Sequence, residues 1–183
     1  MPPPRASLTV AVLFATTATA AYAQAVTRDE ALASAYPGAT IRTEQLFLTD
    51  AQQKQVATAA GTDATSAFVV RYVATQNGKV VGRAYVDTHT VRTKKESLLV
   101  MLDAFARIKR VEVTAFLEPP EFQAPEAWLR QYSERTLAPE LALNRAIRPI
   151  AGATLTARAT NNAVRRVLAI DQVVQGVDPG SRK

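Results

Sequence analysis

With 183 residues, 48% of them hydrophobic and 21% charged, the chain is long enough for one globular domain that builds a core without staples. It holds no cysteine and one histidine, His89, which excludes disulfides, thiolate metal sites and thiol nucleophiles. That composition also makes histidine-rich metal sites and a serine–histidine–aspartate triad poor expectations. The formal net charge of +6 is dispersed, its densest pieces being "RTKK" from Arg92 to Lys95 and "RIKR" from Arg107 to Arg110. Nucleic acid is not an expected partner; a solvated basic surface, an anionic small ligand or an acidic electron-transfer partner is.

The chain opens with a short positive region, Met1 to Arg5, an uncharged apolar or small stretch from Ala6 to Ala20, and Ala21-Tyr22-Ala23. Small residues at the minus-three and minus-one positions predict signal-peptidase cleavage after Ala23, hence a leader over 1–23 and a periplasmic protein. The apolar run is too short and too rich in threonine for a membrane span, and none is expected in the mature chain.

In "AVTRDEALASAYPG", Thr27 with Glu30 three residues on forms a capping box, and Pro37-Gly38 stops the helix. A second helix is predicted from Asp50 to Ala60, closed by Gly61. Residues 24–66 therefore read as an N-terminal helical segment, too small to hold a core alone. From Phe68 the apolar period becomes two, and Asn77-Gly78 supplies a tight hairpin turn before a strand from Val80 to Val91. "SLLVMLD" (97–103) and "RVEVTAFLE" (110–118) complete an antiparallel meander of about four strands, with a turn at 104–109 in which "RIKR" is solvated. Pro119-Pro120 ends the last strand, and Pro125 opens a helix, "PEAWLRQYS". A closing helix runs from about Thr156 to Asp171, with Ala159, Ala163, Val164, Val167 and Ile170 on one side and Arg158, Arg165 and Arg166 toward the other. Residues 176–183 read as a tail. The fold class expected is α+β, an antiparallel sheet with helices packed against it.

The mouth of that last helix, Ala151-Gly152-Ala153-Thr154-Leu155-Thr156, has two readings. Thr156 is placed to be an N-cap, worth about 1 kcal/mol. The same turn suits an anion, because unpaired amides and the positive end of the helix dipole point outward there and Gly152 admits close approach.

"AGATLT" followed by an alanine-rich, arginine-bearing helix resembles the (Ser/Thr)-Gly-Ala-Thr segment of extracytoplasmic FMN-binding domains. Such domains occur in the C subunit of sodium-pumping NADH:quinone reductase and the G subunit of the Rnf complex. "DTHTVRTKKESLLVMLD", "VEVTAFLEPPEFQAPEAWLRQY" and "AYPGATIRTEQLFLTDAQQ" are similar to segments of stand-alone exported members, so the resemblance spans most of the mature chain. It implies an FMN-binding domain over 67–175 and an electron carrier rather than a substrate-converting enzyme. In the family an FMN transferase joins the flavin phosphate to the last threonine of the motif, here Thr154, through a phosphodiester. Ala151, Gly152, Ala153, Leu155 and Thr156 are the neighbours the resemblance places around it.

The resemblance also implies a flavin ring against the sheet and the segment after its last strand, which offers Glu118 and Trp128. Glu118 reads either as a flavin or ribityl acceptor or as an ordinary exposed carboxylate, and Trp128 either as a stacking platform or as core. His89, on one strand face with Tyr85 and Asp87, reads either as a donor to the flavin, joined by Thr90 and Arg92, or as a satisfied strand residue. The family pattern has an aspartate three positions before the Ser/Thr; this chain has Arg148 and Ala151 there. Arg148 could pair with phosphate as a fixed cation. The partners implied are FMN, the transferase, and a membrane-bound or soluble periplasmic redox protein; the alternative is a flavin-free periplasmic binding or assembly module.

Overall fold

The computed structural model describes residues 27–63 and 65–176; the predicted leader, all but the first residue of the predicted tail, and residues 24–26 of the predicted N-terminal segment lie outside them. Element order is α1 (Arg28–Ala35), β1 (Thr40–Phe47), α2 (Asp50–Ala60), β2 (Phe68–Gln76), β3 (Lys79–Thr90), β4 (Lys95–Asp103), β5 (Ile108–Phe116), α3 (Glu126–Leu129) and α4 (Thr154–Val174). The strands form one antiparallel sheet in sequence order, β1-β2-β3-β4-β5. The fold is α+β, as the sequence predicts, with five strands rather than four.

Local signals explain much of this. Thr27 caps α1 with the reciprocal bond to Glu30, and Thr49 does the same for α2 with Gln52. Gly61 closes α2 in the left-handed region at φ 64°, where a β-carbon would be strained. Asn77 and Gly78, at φ 50° and 73°, make the hairpin turn between β2 and β3.

The additional strand, β1, lies inside the segment read as purely helical. It pairs with β2 from Thr40↔Thr75 to Phe47↔Phe68 and forms one edge of the sheet. "RIKR" is likewise not a solvated turn: Ile108 is fully buried in β5, and the turn is confined to Ala104 to Ala106 with Ala106 at φ 61°. The helix expected after Pro125 lasts one turn and continues as a 3-10 turn over Arg130–Tyr132.

Both faces of the sheet are covered. On one, α1 packs Ala31, Leu32 and Ala35 with Tyr36 against Tyr72, Ala84, Leu99 and Met101. There the Tyr36 hydroxyl lies 2.7 Å from the Arg83 carbonyl and 2.8 Å from that of Leu102, over Gly82, whose missing β-carbon leaves room for the Tyr36 ring. On the other face α2, α3 and α4 cover Tyr85, Leu98, Val100, Leu102 and Val111. Burial of this larger cluster is the main source of stability, at about 25 cal/mol per Å² of apolar surface.

α4 is longer than predicted and starts two residues earlier. Ala153, not Thr156, is its N-cap, and no side chain caps it. Thr156 is the third helical residue and is 1% exposed. Arg165 and Arg166 do not form a solvated face. Arg165 donates to the carbonyls of Ala60 at 2.6 Å and Ala138 at 2.8 Å, so it satisfies the C-terminal end of α2. Among the described residues no helix is long and apolar enough to cross a membrane.

Candidate functional site

Four consecutive positions on the α4-facing side of β3 are polar: Arg83, Tyr85, Asp87 and His89. Each finds its partner under α4. Asp171 accepts from Arg83 Nη2 at 3.1 Å and from the Tyr85 hydroxyl at 2.7 Å. Asp87 accepts from Arg166 Nε and Nη2, both at 2.7 Å. His89 sets Nδ1 2.9 Å from Asp87 and Nε2 2.9 Å from Glu96, and Glu96 also accepts from Thr160 at 3.3 Å. Buried polar groups are costly unless paired, and this series pairs nearly all of them. The Oε1 atom of Glu96 is buried with no partner.

Electrostatics follow from these contacts. Burial works to raise the Asp87 pKa, but the bonds from His89 and Arg166 outweigh it and hold the carboxyl below its ordinary value. Burial works to lower that of His89, but Asp87 and Glu96 outweigh it and raise it. Burial raises the Tyr85 hydroxyl well above its ordinary value, and the neighbouring Asp171 charge adds to this.

The same series sets the register of α4 on β3. Asp171 and Arg166 of α4 meet Arg83 and Asp87 of β3, and Thr160 meets Glu96, the β4 neighbour of His89, so α4 descends as β3 ascends and the two run antiparallel. Six strand residues cover roughly 20 Å and eleven helix residues roughly 16 Å, so the next partner of the β3–β4 turn is the start of α4. There a cleft of about 240 Å³ is lined by Arg92 from the turn, Phe122 from the segment after β5, and Gly152, Ala153, Thr154, Leu155 and Thr156.

Glu118 shapes this cleft from behind. Its Oε1 accepts from the amides of Arg92, Thr93 and Lys94 at 3.1, 2.7 and 2.8 Å. The Thr93 and Lys94 amides chiefly hold its pKa below the usual carboxylate value. With the turn so fixed, the Arg92 guanidinium lies 5.3 Å from the Phe122 ring centre, a cation–π distance. Thr154 and Leu155 are exposed and Gly152, at φ 77°, turns the chain into α4 with open space where a β-carbon would stand. The amides of Thr154, Leu155 and Thr156 have no acceptor one turn back, as at any helix start.

The structure thus brings Gly152 to Thr156 together with Arg92 and Phe122, sets Glu118 against the Arg92 amide, and places Ala151, Trp128, Arg148 and His89 elsewhere. Ala151 is exposed in the turn but does not line the cleft. Trp128 packs edge-on to Tyr132 and donates from Nε1 to the Arg148 carbonyl at 2.7 Å. Arg148 is exposed and tied down through its backbone, its amide donating to Gln131. His89 lines a different cleft, with both ring nitrogens engaged. Sequence reading missed Phe122, which no motif marks, and the pairing of Asp87, Glu96, Thr160 and Arg166, which needs the strand and the helix side by side.

Comparison of the chain with protein-family models, curated proteins and solved structures gave no match.

Proposed function

We propose that this protein is a periplasmic electron carrier whose FMN is joined through a phosphodiester to Thr154. The observation that supports it most is the cleft in which an exposed threonine at an uncapped helix start faces a fixed arginine.

The residues present fit a flavin phosphate. The three free amides and the positive end of α4 stabilise an anion, and Arg92 adds a guanidinium beside them. The Thr154 hydroxyl is the oxygen available for esterification, with FMN transferase as partner and a flavin dinucleotide as donor of the flavin phosphate. The oxygen bonds to phosphorus as the pyrophosphate link breaks, the nucleoside monophosphate leaves and the hydroxyl proton is released, so that the protein gains one FMN less one water. Phe122 and Leu155 offer apolar surface beside the phosphate position. Bound FMN supplies the electron-transfer chemistry; the chain holds and orients it, and passes electrons to a membrane-bound or soluble redox protein.

Arg148 and Ala151, where the family pattern has an aspartate, favour a second reading in which the transferase does not recognise the segment and the protein is a flavin-free periplasmic binding or assembly module. Intact mass and in-gel fluorescence after denaturation, on protein exported with a co-expressed FMN transferase, separate the two. A gain of one FMN less one water, with fluorescence that survives denaturation, is expected; an unmodified mass and colourless native protein overturn the carrier reading.

A further inference from the structure

The two edges of the sheet are built differently. β5 pairs with β4 through register shifts at Ser97/Leu98 and Met101/Leu102, and the chain returns to cover part of its outer side. There the Glu134 amide donates to the Ile108 carbonyl at 2.7 Å and the Ile108 amide to the Arg135 carbonyl at 2.9 Å. Bulges and a covering loop are common ways to keep an edge from pairing with another chain. β1 has neither: it holds one unbroken register with β2 over all eight residues. It contains no proline or lysine, and β2 is its only strand neighbour.

Hydrogen-bond phase fixes what this free edge presents. The Leu48 amide donates to the Ala67 carbonyl at 2.7 Å, so with strict alternation Arg42, Glu44 and Leu46 bond toward β2 while Ile41, Thr43, Gln45 and Phe47 turn their backbone groups outward. An antiparallel second copy must match outward groups with outward groups, and a two-fold axis then limits the registers to a few. Centred on Arg42, the pairing sets Arg42 against Arg42; centred on Glu44, it sets Glu44 against Glu44. Like charges directly opposite each other are destabilising. Centred on Thr43, the pairing sets Arg42 of each copy opposite Glu44 of the other, in non-hydrogen-bonded pairs where facing side chains lie closest. Registers centred farther along β1 pair neither charge with its opposite. The edge is therefore self-complementary in charge about one residue.

We propose that β1 pairs antiparallel with β1 of a second copy about a two-fold axis at Thr43, joining two sheets into one. Glu44 stands opposite Arg71 in the β1–β2 register and accepts from Arg71 Nε at 2.9 Å. It also contacts Arg42, whose side chain is 74% exposed. In the dimer each Glu44 lies between its own Arg71 and Arg42 of the other copy, so the charges alternate in sign across the seam. On the opposite side of the sheet Phe47, exposed beside Phe68, comes opposite Ala39 and diagonal to Ile41 of the second copy, which covers apolar surface that a monomer leaves in water. No β1 residue lines the cleft at Thr154, so the pairing holds with or without flavin.

The test is sedimentation equilibrium of the full native protein over a concentration series. A mass rising from that of the monomer toward twice that value is expected. Arg42→Glu, at an exposed position, sets like charges opposite each other twice and should weaken association by about tenfold or more, whereas Arg42→Lys should associate as the parent does. Thr43→Pro removes an amide that β2 does not use, a place where an edge strand tolerates proline, and should also weaken association; Arg42→Glu keeps the test open if the proline variant fails to fold. The chain has no cysteine of its own, so nitroxide labels on single Thr43→Cys, Ile41→Cys and Gln45→Cys variants report the register. Dipolar broadening should be greatest at position 43. A monomer mass at every concentration up to about 1 mM, a dimer that neither Arg42→Glu nor Thr43→Pro weakens, or broadening greatest at position 41 or 45 would each overturn the proposal.

Discussion

Arg166 and Asp87 meet through two parallel bonds, Nε to Oδ2 and Nη2 to Oδ1, each 2.7 Å, with Asp87 8% and Arg166 16% exposed in their side chains. This planar fork on a carboxylate joins the middle of α4 to the middle of β3 and fixes how far along the strand the helix sits.

Removing one partner leaves a buried charge uncompensated. Asp87→Ala should cost about 3–5 kcal/mol of stability, read as a lower midpoint in urea unfolding at unchanged slope. Asp87→Leu combined with Arg166→Met should recover most of that loss, because apolar replacement of a whole buried pair is often neutral. A double variant as unstable as Asp87→Ala would show that the pair itself, not the orphaned charge, carries the stability.

The Asp87–His89–Glu96 group predicts how stability depends on pH. His89 has its pKa raised above the ordinary 6.5, so its contribution is complete below pH 6.5 and fades as pH rises through the folded value. Asp87 has its pKa lowered from the ordinary 3.8, so its contribution is complete above pH 3.8 and fades as pH falls through the folded value. The stability difference between the parent and His89→Gln should therefore be largest between these two ordinary values and shrink at alkaline pH. Denaturant titrations at several pH values check this, and a difference that grows above pH 6.5 contradicts it.

Glu118 holds the β3–β4 turn from its concave side. Glu118→Gln removes the charge that three amides converge on, and Glu118→Ala removes the acceptor. Amide exchange at Thr93 and Lys94 should accelerate in both, more in the alanine variant, with the sheet core unchanged. If the carrier reading holds, FMN incorporation should fall with it, since Arg92 loses its fixed position.

Thr154→Val keeps the volume and deletes the hydroxyl. Position 154 is exposed and no side-chain cap is lost, so the unfolding free energy should change by less than about 0.5 kcal/mol. Covalent flavin should vanish from the intact mass. Flavin that persists covalently in this variant would remove Thr154 from consideration.

The parts legible in the sequence are those written in short-range chemistry: the Thr27–Glu30 capping box, the Gly61 stop, the Asn77-Gly78 turn, the alternation of β2 and the apolar runs of the strands after it. β1 was not legible because "TIRTEQLF" lacks strict alternation; as an edge strand it leaves Arg42 and Phe47 exposed and needs no second buried face. β3 misleads differently. Alternation shows that Arg83, Asp87 and His89 share a side, and charge suggests that this side meets water; only the helix laid across it shows a side sealed by Asp171 and Arg166. At the mouth of α4 the motif was visible, whereas Arg92 and Phe122 reach it from other elements that no local pattern connects.

α4 also bears on the order in which the molecule becomes native. It follows all five strands in the chain, yet it supplies Ala163, Val164, Val167, Leu168 and Ile170 to the larger core and the counter-ions for Arg83 and Asp87. Until it docks, one side of the sheet is an open apolar surface studded with unpaired charges, and closing it requires contacts that span 79 and 88 residues of chain. Such distant closures are entropically expensive and slow. A nascent chain that ends before Thr154 can form hairpins but not the folded protein, and it stays open to proteases and holdases until the final helix arrives.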